Sequence, residues 1–296
     1  MLPSTTAQDT SLSAGAATIL RDLTDRLLRS TSAADWVSSP GNVKQARIAC
    51  RRLREALQLL GPRLQPKRAA QLVRDVELLA APLAVLRDLD VVAALIEAEA
   101  EREPALEAVH YALALMRRHA ANQTKRRLAA DRVQQLASRL HRYGRSITER
   151  DAGGDMRRFA ADRLIARHQR LTQRAAEVDV QHIATIHALR RSLRRFRYDA
   201  EAFLGWLELS PEALSGVKVV QDYLGAITDR EALLKALDNI GKDLPRGSAG
   251  AVAVVVARVD AELRQLVDGV TAAVAPLVAP AVPEELFRAL GTPFDG

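Results

Sequence analysis

Cysteine and aromatic side chains are the scarce components of this sequence. A single cysteine, Cys50, occurs in 296 residues, so no intrachain disulfide can form and a cross-linked scaffold is excluded. Trp, Tyr and Phe together make up 4% of the chain, too few to build the stacking platforms that single-stranded nucleic-acid binders use. Long apolar runs are missing too. The stretch 249–257 is short and 269–282 is broken by Pro276 and Pro280, so neither spans a bilayer. The first fifteen residues combine neither a basic segment nor an apolar core, so no secretory leader is expected and the cytoplasm is the expected compartment. No Gly-rich phosphate loop, nucleophile elbow, HExxH or CxxC occurs. His110, His119, His141, His168 and His182 show no paired spacing with carboxylates that would hold a metal. A catalyst, a cofactor and a metal site are therefore not expected.

What is abundant is Ala, Leu, Val and Arg. Hydrophobic residues are 48% of the chain, and they recur at steps of three and four rather than two, which predicts an all-α fold. The net charge is +7, but it is local. Residues 110–170 carry 15 Arg and Lys against 5 Asp and Glu, a net of +10, which leaves −3 for the remainder. Such a patch fits a polyanion: a nucleic acid, inorganic polyphosphate or an anionic membrane surface.

In chain order, residues 1–14 are small and polar and are expected to be disordered or loosely docked. A first helix is expected over 16–28, then a connection over 30–41. Asn42 is the expected N-cap of a helix over 43–60, which Gly61-Pro62 would end. A long helical stretch is expected from Pro104 to about Tyr143, a linker over 148–155, and a helix over 156–176. After a loop over 241–250, an Ala/Val-rich helix over 251–274 and a short one over 284–290 complete the reading.

Two stretches repeat. Over 186–203, Ile186, Leu189, Leu193, Phe196, Ala200 and Phe203 form an apolar seam, with His187, Arg190, Arg194 and Arg197 one position later on an adjoining cationic stripe. With an offset of 143, Lys44, Arg47, Arg51 and Arg54 fall on those four positions, beside a seam of Val43, Ala46, Cys50, Leu53, Leu57 and Leu60. On that seam Cys50 reads as a small buried hydrophobe. A second pair of blocks follows, Leu86-Arg87-Asp88 and Ile227-Thr228-Asp229. Two copies in one order predict an internal duplication, giving two similar helical bundles related by a pseudo-two-fold axis, at about 15–150 and 155–290.

The doubled pattern, His then Arg three residues on, then Arg-Arg-x-Arg, resembles the conserved histidine α-helical domain, or CHAD, family. His187, Arg190, Arg194, Arg195 and Arg197 match it closely. The first copy departs at its first position, where Lys44 stands in place of His. The resemblance spans about 15–290. It implies a fold of two pseudo-symmetric four-helix bundles, a non-catalytic module that binds inorganic polyphosphate along a basic groove or pore, with an association with polyphosphate granules. The alternative, from the charge alone, is a nucleic-acid-associated helical protein.

Arg suits a phosphate polymer because its fork donates two parallel N–H bonds and never deprotonates. Cations three and four apart on a helix lie about 5–6 Å from each other, compatible with successive or alternate phosphates. The expected contacts are Lys44, Arg47, Arg51, Arg54, His187, Arg190, Arg194 and Arg197, with Lys125, Arg126, Arg163 and Arg167 from the basic central segment. Lys218 lies about three turns before Asp229 on one helix face, which leaves it either facing the groove or solvated. Asp88 and Asp229 are expected to hold an Arg fork, and Tyr198 to pack at the groove edge. Arg52 and Arg195 point about 100° off the stripe and read as structural. The bland alternative for the whole stripe is pairing with Asp88, Asp90, Asp229 or Glu201, which would only orient helices.

Overall fold

A computed structural model describes residues 11–101, 103–128, 130–149, 153–207, 214–241 and 249–277. Among them every regular element is helical: α1 (Leu12–Ser30), α2 (Pro40–Leu64), α3 (Pro66–Ala100), α4 (Glu107–Arg127), α5 (Ala130–Thr148), α6 (Met156–Ala176), α7 (Ile183–Leu207), α8 (Ser215–Gly241), α9 (Ala249–Asp268) and α10 (Val270–Val274). Short 3₁₀ turns at Trp36–Ser38, Pro104–Leu106 and Ala275–Leu277 complete them.

The two seams read from the sequence are both buried. Val43, Ala46, Cys50, Leu53, Leu57 and Leu60 on α2, and Ile186, Leu189, Leu193, Phe196, Ala200 and Phe203 on α7, are each no more than 1% exposed. Helices α2 and α7 have the same length, 25 residues, and begin 143 positions apart. The correspondence between the two seams thus extends to the ends of both helices. One buried cluster runs through both halves of the chain, from Leu20 and Leu53 to Leu193 and Leu224. A second, smaller cluster joins the C-terminal parts of α3 and α8 to α4 and α9 through Ile96, Leu113, Leu237 and Val255.

Helix ends differ from the expectations in several places, each for a local reason. Residues 11–14 are not loose: the Ser11 side chain accepts the Ala14 N–H at 3.3 Å and caps α1, while residues 1–10 lie outside the described residues. The cap of α2 is Ser39, not Asn42. Its hydroxyl accepts the Asn42 N–H at 3.3 Å, and Pro40 takes the first helical position, where a missing N–H costs nothing.

Gly61-Pro62 does not end α2, which continues to Leu64. Pro62 falls in the last turn, where it removes one backbone bond on the exposed side. Gly61 serves packing, since a Cβ there would meet the Ala69 Cβ at 2.2 Å across the α2–α3 junction.

The stretch expected as one helix from Pro104 to Tyr143 is a 3₁₀ turn and two helices. Buried Leu128 leaves the helical path as the C-cap of α4, its N–H donating to the Thr124 carbonyl at 2.8 Å. The expected 251–274 helix breaks at Gly269, between α9 and α10, where the Tyr223 hydroxyl donates to the Leu266 carbonyl at 2.7 Å. The expected helix over 284–290 lies outside the described residues.

The connection between the halves is tied down. Gly153 and Gly154 have φ of 67° and 92°, a region that side chains resist. Gly154 accepts the Leu12 N–H at 2.9 Å. Asp155 then caps α6 by accepting the Arg158 N–H at 2.6 Å.

Candidate anion-binding site

Helices α2 and α7 carry the stripes, and α3 and α8 run beside them. The four helices enclose a cleft of about 300 Å³. Its wall from α2 is Lys44, Arg47, Ile48 and Arg51; its wall from α7 is Arg190, Arg194 and Tyr198. From α3 come Arg87, Asp88 and Val91, and from α8 Gln221, Thr228, Asp229 and Ala232. The repeat is visible in the lining. Arg47 and Arg51 match Arg190 and Arg194, while Arg87, Asp88 and Val91 match Thr228, Asp229 and Ala232 at an offset of 141.

Among the described residues, Arg47, Arg51, Arg190 and Arg194 make no ion pair or hydrogen bond with a carboxylate. The Nε–H groups of Arg51 and Arg190 are buried and hydrogen-bond to no protein atom. Burial disfavours the charged form of each of these two and of Arg194. For Arg51 it acts with repulsion from Arg194, Arg47 and Arg190 to pull the pKa down to about 10. Arg190 is lowered chiefly by burial, with Asp229 opposing. Arg194 is lowered by burial and then by Arg190. A guanidinium cluster short of counter-charge attracts an anion.

Asp88 and Asp229 line this cleft, yet among the described residues no hydrogen bond joins either to an arginine. Asp229 acts on Arg190 through its field. Tyr198 is 8% exposed and packs its ring beneath Arg51, whose guanidinium carbon lies 5.1 Å from the ring centroid.

The remaining expected contacts do not line the cleft. Arg54 donates to Glu55 at 2.9 Å. Arg197 reaches Glu201 at 2.9 Å, and Arg52 also pairs with Glu201. Arg195 comes within 4.0 Å of Glu55. Three residues past Arg51 and Arg194 the stripe has rotated away from the cleft and meets carboxylates instead.

His187 Nε2 lies 3.2 Å from Glu231. In the other half the position equivalent to Glu231 is Asp90, whose carboxylate is held by Arg117 at 2.8 Å. Among the described residues Lys44 has no carboxylate partner, and it stands exposed on the cleft lining.

The basic central segment is spread over other surfaces. Lys125 pairs with Asp35 at 3.2 Å on the exposed side of α4, and Arg126 donates to the Asn122 carbonyl at 3.4 Å. Arg163 lies over the Phe159 ring at 5.8 Å. Arg167 is bound to buried Asp199 at 2.8 Å. Lys218 is exposed and absent from the cleft lining, the solvated alternative. One lining cation escaped the stripe reading, Arg87. Its signal in the sequence is its place beside Asp88 in the Leu86-Arg87-Asp88 block. Among the described residues no group of three His, Cys, Asp or Glu is placed to hold a metal, and no helix is long and apolar enough to cross a membrane.

Comparison with known proteins follows the same lines. A family model described as the CHAD domain matches residues 18–238. The fold is similar to the crystal structure of the CHAD domain from the plant Ricinus communis, with a TM-score of 0.72 and 24% identity, covering 92% of this chain and 94% of that one. It is also similar to PptA from Streptomyces chartreusis, with a TM-score of 0.67 and 17% identity, covering 96% of this chain and all of that one. At these identities the likenesses speak for the fold. No curated protein matches the sequence.

Proposed function

This chain belongs to the CHAD domain family, and on that footing we propose that it is a binding module for inorganic polyphosphate, which it holds in the cleft between α2 and α7. The observation that carries this reading is the convergence of Arg47, Arg51, Arg190 and Arg194 on one cleft, with no carboxylate bonded to any of them among the described residues. Phosphate oxygens take the unused Nε–H and Nη–H donors in pairs, and their charge removes the mutual repulsion of the guanidiniums. Lys44 and Arg87 add charge along the lining. Recognition is by cation spacing, because a phosphate polymer has no base edges to read.

The module binds without turning its ligand over. Among the described residues its lining carboxylates are Asp88 and Asp229, which stand among arginines rather than beside a nucleophile. Binding of this kind places the protein on polyphosphate granules.

The test is a titration with long-chain polyphosphate, duplex DNA and single-stranded RNA at about physiological salt, where screening already acts over about 8 Å. Polyphosphate is expected to bind at least tenfold more tightly than either nucleic acid. Arg190→Ala with Arg194→Ala is expected to weaken it by a further factor of ten or more while the circular dichroism is unchanged. Equal binding of nucleic acid, or full polyphosphate affinity in the double variant, overturns the reading.

A further inference from the structure

Tyr198 and its neighbours close off a second cavity, of about 250 Å³, between α1, α2 and α7. Its surface is mainly hydrocarbon, from Leu23 of α1, Leu59 of α2, and Phe203 and Trp206 of α7. Four carboxylates line the same space, Asp22, Glu55, Asp199 and Glu201, and two of them are buried. Glu55 is 7% exposed and Asp199 2%.

Among the described residues Glu55 and Asp199 are each hydrogen-bonded at one oxygen only. Arg54 Nη2 donates to Glu55 Oε1 at 2.9 Å, and Arg167 Nε donates to Asp199 Oδ2 at 2.8 Å. Arg195 comes only within 4.0 Å of Glu55 Oε2, beyond hydrogen-bond range. The two acids also act on each other. Burial raises the Asp199 pKa and the Glu55 charge raises it further, against the pull of Arg167. At the rim, Asp22 makes no ion pair among the described residues. Of the two lining arginines, Arg52 is neutralised by Glu201 and Arg26 is exposed.

We infer that this cavity is a binding site for a small organic ammonium ion with an apolar body. The ammonium sits against Glu55 and Asp199, and the hydrocarbon lies on Leu23, Leu59 and Trp206. Each feature selects against another class. A carboxylate or phosphate ligand would meet two buried anions. A neutral hydrocarbon would fill the volume but leave the two carboxylates repelling each other. An ammonium supplies donors to the carboxylate oxygens that Arg54 and Arg167 leave free. The cavity is separate from the anion cleft and does not depend on what binds there.

The experiment uses the full chain and the fluorescence of Trp206, with octylamine, octanoate and octanol as probes at pH 7. Octylamine is expected to give a saturable change that is absent in Trp206→Phe, with octanoate and octanol at least tenfold weaker. Asp199→Asn and Asp22→Asn are each expected to weaken octylamine at least fivefold. Ala202→Leu fills the cavity without touching a charge, so it tests the site even where Asp199→Asn fails to fold, and it is expected to abolish binding. Octanol binding as tightly as octylamine, an unchanged response in Ala202→Leu, or no saturable response to octylamine would each overturn the inference.

Discussion

Arg51 of α2 lies over the ring of Tyr198 of α7, its guanidinium carbon 5.1 Å from the ring centroid. The next residue, Arg52, reaches the same ring at 5.6 Å, and Arg197 does so at 5.7 Å. Arg51 lines the anion cleft, Arg52 lines the second cavity, and Tyr198 lines both. One ring thus separates an arginine free to meet a ligand from arginines bound to Glu201.

The ring therefore aims Arg51 as well as filling space. A cation–π contact of this sort contributes about 0.5–2 kcal/mol. Tyr198→Phe keeps the ring and is expected to bind polyphosphate as the native chain does. Tyr198→Leu is expected to weaken binding by roughly three- to tenfold, on that same scale. Isothermal titration of the two variants separates the ring from the hydroxyl.

Arg51 is expected to cost stability in the empty protein. Its pKa is drawn down from 12.5 to about 10, so its proton is held less firmly folded than unfolded. Both values lie above physiological pH, so the cost persists across that range and is relieved only as pH rises past about 10. Arg51→Met keeps the stem and removes the charge. It is expected to stabilise the unliganded protein by about 1 kcal/mol, seen as a thermal midpoint higher by about 2 °C, while weakening polyphosphate binding.

Cys50 is fully buried in the α2 seam, and its thiol is pushed up to about 12 by that burial. The reactive thiolate is therefore almost absent at neutral pH. Iodoacetamide is expected to leave the native chain unlabelled at pH 8 and to label it quantitatively in denaturant. Mass spectrometry along a urea series then reports opening of the helix that carries the Lys44–Arg51 wall.

Acid is expected to destabilise the fold through His168. Its ring meets Phe196 edge-on at 5.8 Å, and burial lowers its pKa from 6.5. The unfolded chain then binds this proton at a higher pH than the folded one. The contribution of His168 is whole above about 6.5 and is lost as pH falls through the folded value. In His168→Leu, the fall in urea midpoint between pH 7 and pH 5 is expected to be smaller than in the native chain.

Periodicity made the core and the walls readable in advance. All twelve seam positions on α2 and α7 are buried, because a 3.6-residue repeat is a local property that packing rarely overrides. Arg47, Arg51, Arg190 and Arg194 reach the cleft for the same reason. What periodicity could not supply was pairing between helices. Arg54 and Arg197 sit on the same stripe in sequence, but Glu55 and Glu201 claim them. The Arg52–Glu201 contact spans 149 residues, beyond any local pattern. Gly61-Pro62 misled for a related cause. The pair looks like a helix stop, while in three dimensions Gly61 is the space into which Ala69 packs.

The most direct test of the polyphosphate cleft follows the arginine Nε–H resonances by NMR, with ¹⁵N-arginine labelling and assignment by single Arg→Lys variants. Adding polyphosphate is expected to shift and sharpen the signals of Arg47, Arg51, Arg190 and Arg194, with those of Arg52 and Arg197 little changed. Shifts confined to the exposed arginines of α4 and α5, such as Arg126, Arg132 and Arg142, with the four cleft signals unmoved, would contradict it.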